Sequence, residues 1–121
     1  MRNYKNLGAW QNADELTVQI YQVTRQFPAE EMYGITSQLR RAAYSVPANI
    51  AEGSGRESNA DYLRFLSIAR GSLAETEYFL HLANRLNYLS ESDQKQLTKL
   101  VNYTFAALTG LMRSVREYLD N

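Results

Sequence analysis

Residues Gln38–Arg56 read QLRRAAYSVPANIAEGSGR, and the reading of this stretch decides the fold. Ile35, Leu39, Ala42, Ala43, Val46, Ile50 and Gly53 recur at steps of three and four. That is the period of one helix face, not the alternation of a strand. The helix expected over residues 36–52 carries Pro47 in its interior. A proline there removes an amide donor and crowds the carbonyl four residues earlier, that of Ala43, so a kink is expected. Ser45 is the side chain expected to relieve the strained turn, and Thr36 is the expected N-cap. The glycines of Gly53-Ser54-Gly55-Arg56 are expected to end the helix through a left-handed cap.

The same period continues on both sides. Trp10, Ala13, Leu16, Ile20, Val23 and Phe27 mark a first helix over residues 9–26, closed by Phe27-Pro28. Ser58-Asn59-Ala60-Asp61 fits a capping box ahead of a third helix over residues 58–87. Its seam is Tyr62, Phe65, Leu66, Ala69, Leu73, Thr76, Leu80, Ala83 and Asn87. A second cap at Ser90–Asp93 opens a fourth helix over residues 91–119. Leu97, Leu100, Val101, Thr104, Leu108, Met112, Val115 and Leu119 keep its period. No segment alternates with period two. The expected fold is all-α, an antiparallel up-down four-helix bundle with the second helix kinked at Pro47, in a single domain over residues 1–121.

Composition narrows the function classes. The chain has 121 residues, 13 basic against 13 acidic side chains, and no cysteine. Balanced charge weighs against a dedicated nucleic-acid binder, whose affinity comes largely from counterion release at phosphates. Without cysteine there is no disulfide, thiolate metal site or thiol nucleophile. No apolar run approaches the ~18 residues of a membrane span, and no secretion signal is visible, so a cytoplasmic protein without membrane contact is expected.

Two surfaces stand out beside the core pattern. Gln38, Arg41, Ser45, Asn49, Glu52 and Arg56 form a polar stripe rotated about 100° from the apolar seam. The expectation for Arg41, Ser45, Asn49 and Glu52 is structural pairing, with Glu75 of another helix or subunit as the partner for Arg41. On the third helix, Ile68, Phe79, Leu82 and Leu86 make a second apolar flank around Gly71, wider than one bundle seam needs. A subunit interface at these five residues is the expectation.

No catalytic set emerges. His81 is the only histidine, with Glu77 four residues before it and Arg85 four after, on the face away from the seam. A bundle di-metal site wants inward Glu-x-x-His pairs. Helical ribonucleases of the HEPN type resemble the chain in size and class but need an arginine four to six residues before the histidine. Arg70 is too distant. The Gly53–Arg56 turn lacks the spacing of a phosphate loop. Glu75 and Glu77 project about 200° apart on the helix, which rules out a carboxylate pair. No enzyme activity, metal, cofactor or small-molecule substrate is expected.

In combination, the blocks FPAEEMYGITSQLRRAAYSVPANIAEGSGRES and DYLRFLSIARGSLAETEYFL resemble the bacterial four-helix-bundle family of 23S rRNA intervening-sequence proteins, from near Trp10 to about Leu89. The fourth helix matches in pattern only. The resemblance implies a ring-forming homo-oligomer, a homopentamer, acting without catalysis as a scaffold or adaptor for itself and for an RNA–protein assembly. Some members are encoded within insertions of ribosomal RNA genes. A related branch, the accessory protein of diversity-generating retroelements, is a strongly basic pentamer that binds a reverse transcriptase and nucleic acid. This chain lacks that basic excess. If nucleic acid is bound, Arg40, Arg41, Arg56 and Arg64 are the candidate contacts.

Overall fold

The computed structural model of the chain describes residues 2–120, with side chains through Glu117. Among the described residues there are four α-helices and no strand: α1 Gly8–Thr24, α2 Ser37–Ser54, α3 Asn59–Arg85 and α4 Glu91–Asp120. α1 packs on α2 and α4, and α3 packs on the same two, so the four helices enclose one core. Leu16 and Ile20, then Leu39, Val46 and Ile50, meet Leu66, Leu73 and Leu80 and, from α4, Leu97, Val101, Leu108 and Met112. All of these are at most 1% exposed, so the helical period places the core as expected. Leu119 lies outside the residues whose side chains are described.

Pro47 is buried inside α2, and the helix continues through it. The carbonyl it deprives of a donor belongs to Ala43. Thr17 of α1 partly answers that loss: its single hydroxyl proton is shared between the Ala13 oxygen of its own helix at 2.8 Å and the Ala43 oxygen at 3.1 Å. Ser45, expected to relieve this turn, instead offers its carbonyl to Asn49 Nδ2 at 2.7 Å. A packing neighbour thus replaces the local side chain.

The helix ends also depart from the sequence reading. Thr36 is not an N-cap. It has helical angles, closes a π-turn over Met32–Thr36, and buries a hydroxyl that finds no partner. Backbone outside helical angles falls earlier, at Gly34. The glycines after α2 do not reverse the chain, because no described glycine has positive φ and Gly55 sits at φ −87°. Arg2 does the capping instead, donating from Nη1 to the carbonyls of Ser54 (3.2 Å) and Arg56 (2.8 Å) and from Nη2 to Asn59 Oδ1. Its guanidinium lies 4.5 Å from the centre of the Tyr62 ring. A cation at a helix C-terminus satisfies orphan carbonyls and complements the helix dipole.

The left-handed cap appears at Asn87, expected on the seam of α3 but found exposed at φ 62°. The Tyr88 amide reaches the Ala83 carbonyl (2.9 Å) and the Asn87 amide reaches that of Asn84 (3.0 Å), the bond pair of a Schellman motif. Ser58 Oγ accepts from the Asp61 amide (3.0 Å) and Ser90 Oγ from that of Asp93 (3.1 Å), the caps anticipated for α3 and α4. Beyond Asn87, Tyr88 donates its hydroxyl to Glu31 Oε2 (2.9 Å) and leans on Phe27, tying the α3–α4 turn to the α1–α2 connector.

Gly53 of α2 lies tight against α3. A β-carbon there would stand 2.7 Å from Phe65 Cβ and 3.0 Å from Tyr62 Cδ1. Gly53→Ala should therefore lower stability by about 1–3 kcal/mol, read as a lower urea midpoint at unchanged slope. Two tyrosines add a pH dependence. The Glu31 carboxylate that accepts its proton, aided by burial and by the charges of Glu31 and Glu30, holds Tyr88 above its ordinary value of 10.0. Burial, opposed by Arg2, does the same to Tyr62. Raised folded values mean stability complete below pH 10 and lost as the pH climbs through them. Tyr88→Phe should flatten the decline of melting temperature above pH 10; an unchanged decline would show that this hydroxyl is not involved.

Candidate interaction surfaces

The four arginines singled out from the sequence do not converge on one patch. Arg40 is half-buried at the C-terminal end of α1, where Nε donates to Thr24 Oγ1 (2.8 Å) and the guanidinium lies 4.6 Å from the Tyr21 ring centre. Arg41, one residue on, is exposed and makes no described ion pair. Arg56 bonds Glu52 (2.8 Å) and lies 3.6 Å from Asp61. Arg64 bonds Asp61 at 2.9 Å. Both Arg56 and Arg64 stand 4.5 Å from the centre of the Phe65 ring. About 24 Å of helix separates Arg40 from Arg56. Three of the four cations therefore already hold carboxylates, hydroxyls or rings of the chain itself, and they brace helix junctions. Such part-exposed pairs contribute little stability individually, so they orient the α2–α3 turn more than they strengthen it.

The polar stripe of α2 is resolved locally. Asn49 bonds the Ser45 carbonyl and Glu52 takes Arg56, while Gln38, Arg41 and, on α3, Glu75 are exposed. Arg41 and Glu75 do not pair within the chain.

The apolar flank of α3 divides into two groups. Phe79 and Leu82 are half-buried against the core. Ile68 (42% exposed) and Leu86 (44%) face outward, and the space around the Cα of Gly71 is open. Tyr78, 56% exposed and tilted against Phe79, extends this outward surface. Sequence reading missed it because tyrosine is ordinary at a helix surface and because, at 100° per residue, Tyr78 stands about 80° around α3 from Ile68 and Leu86. From Ile68 to Leu86 the strip runs about 27 Å.

A cleft of about 410 Å³ opens at the Arg2 end, walled by Leu7, Tyr62, Leu111 and Val115. Arg2 on its rim is committed to the α2–α3 turn, so the cleft has apolar walls and no acid–base pair. His81 is exposed on α3 near Tyr78. Among the described residues, no three His, Cys, Asp or Glu side chains gather where they could hold a metal ion, and no helix is long and apolar enough to cross a membrane.

Comparison with known proteins gives the context. No curated protein matches the chain. Among solved structures, a protein with unknown function from the S23 ribosomal protein family of Bacteroides thetaiotaomicron VPI-5482 superposes with a TM-score of 0.80. The match covers 87% of this chain and 95% of that one at 24% identity, a likeness of fold. The family model described as 23S rRNA-intervening sequence protein matches residues 5–110, covering α1, α2, α3 and most of α4. By that match, the chain belongs to the 23S rRNA-intervening sequence protein family.

Proposed function

We propose that this chain is a non-catalytic, ring-forming homo-oligomer, a homopentamer, that serves in the cytoplasm as a scaffold or adaptor. In this reading the monomer is an antiparallel up-down bundle bent at Pro47, and α3 presents its outer strip to a neighbouring copy. The observation that carries the reading is that strip itself. Ile68, Tyr78 and Leu86 leave apolar surface in water along about 27 Å of one helix. Beside them, Gly71 keeps a backbone bare in mid-helix, at a cost of about 1 kcal/mol relative to alanine. A second backbone approaching there offsets that cost, and the apolar side chains leave water at the same step. Arg41 and Glu75, exposed and without ion-pair partners among the described residues, are suited to pair across such a contact. A ring needs two different patches to meet head to tail, and these two lie on different helices.

Light scattering on a gel-filtration peak tests this directly. The parent at micromolar concentration should run as a multiple of 13.9 kDa. The double variant Ile68→Glu/Leu86→Glu should fall to a single chain with an unchanged helical circular dichroism spectrum. A parent that is monomeric at micromolar concentration refutes the ring.

A further inference from the structure

Residues Gln94–Arg116 of α4 contain no acidic side chain, in a chain that has 13 acids. They contain four cations: Lys95, Lys99, Arg113 and Arg116. At about 100° per residue these four fall within roughly 100° of one another, on one outward stripe. All are exposed, and every ion pair among the described residues belongs to Arg56 or Arg64 instead. Lys95 and Lys99 are like charges at a spacing of four, Arg113 and Arg116 at a spacing of three. Each pairing costs the helix a few tenths of a kcal/mol. The acids at helical pairing distance, Glu91 four residues before Lys95 and Glu117 four after Arg113, make no ion pair with them among the described residues. Glu91 and Glu117 stand only at the two ends of the stripe.

We propose that this stripe of α4 binds the phosphodiester backbone of a nucleic-acid duplex. The two cation pairs are set about 27 Å apart, the axial length of about eight base pairs of duplex, so they meet phosphates on either side of a groove and not successive phosphates of one strand. Between them lie Asn102, Ala106 and Thr109, all exposed, with open space around Gly110, so the helix can lie close against a sugar–phosphate surface. The chemistry discriminates among occupants. A second copy of the same stripe would set like charges against each other. An anionic membrane would call for large apolar anchors, which the stripe lacks. A single strand would call for stacking rings, and only Tyr103 borders it. With formal net charge +0 there is no global attraction, so binding rests on these four side chains and is independent of base sequence. The site is distinct from the α3 strip and stands whether or not the chain forms a ring.

The test is fluorescence anisotropy of the full chain with a labelled RNA duplex of about 24 base pairs, between ~50 and ~200 mM salt. The parent should bind at micromolar concentration with a log–log salt slope of about −3 to −4, as expected for four phosphate contacts. Lys95→Gln/Lys99→Gln/Arg113→Gln/Arg116→Gln should bind at least about tenfold more weakly, with a slope near zero. Arg56→Gln/Arg64→Gln should bind within about twofold of the parent. If the quadruple variant does not fold by circular dichroism, the two double variants replace it, each expected to halve the slope. No binding by the parent, or parental affinity in the neutralised variants, overturns the proposal. So does loss of binding in Arg56→Gln/Arg64→Gln. A neutralised variant that loses both binding and the parent's light-scattering mass makes the stripe a subunit contact, and this too overturns it.

Discussion

The hydroxyl of Thr17 within reach of the Ala43 carbonyl is the contact on which the arrangement of this bundle turns. Pro47 is buried in α2 and has no amide to give, so the carbonyl one turn earlier would be left unpaired in the interior. An unsatisfied buried carbonyl costs about 1–3 kcal/mol. Thr17 comes from α1 and shares its one proton with Ala13, so the cost is reduced only when α1 and α2 are docked in one register. That register brings Ala13 and Leu16 against the α2 seam, while the opposite side of α2 closes on α3 at Gly53. One side chain on a neighbouring helix makes a helix-breaking residue compatible with a central helix.

The arginines near the helix ends are governed by a similar constraint. Each helix terminus leaves carbonyls or amides without partners, and a short connector has few groups to supply. Arg2 caps the C-terminal carbonyls of the α2 turn, and Arg40 sits at the C-terminal end of α1 over Tyr21. Arg56 and Arg64 share Asp61 and the Phe65 ring. These cations are occupied with the fold. The cations of α4 have no such duty, which is why charge on this protein carries a different meaning on different helices. A residue type alone does not distinguish the two uses; the neighbours do.

Much of the architecture was legible before any coordinates. The three- and four-residue period placed Leu16, Leu39, Val46, Leu66, Leu73 and Leu97 in the core, because burying apolar area on one face is a local property of the pattern. Ser58 and Ser90 were legible as caps for the same reason, since a cap bond spans only three residues. The interaction surfaces were less so. Ile68, Phe79, Leu82 and Leu86 read alike as apolar flank, yet Phe79 and Leu82 turn toward the core while Ile68 and Leu86 do not. Angle around α3 does not separate the two outcomes, because at 100° per residue Ile68 and Leu86 fall between Phe79 and Leu82. The strip is partly covered in its middle, at Phe79 and Leu82, and open at its two ends.

The sequence by itself determined four helices, their approximate limits, their common core and the family blocks that run through α2 and α3. Each of these depends on short-range periodicity or on motifs contiguous in the chain. Only the tertiary structure decided how the ends are closed and which side chains remain free. Arg2 caps a turn more than fifty residues away, Thr17 serves a carbonyl 26 residues away, and Asn87 leaves the seam for a left-handed cap while Gly55 does not. Those outcomes follow from hydrogen-bond satisfaction among groups distant in sequence. Their partners exist only after the helices have packed.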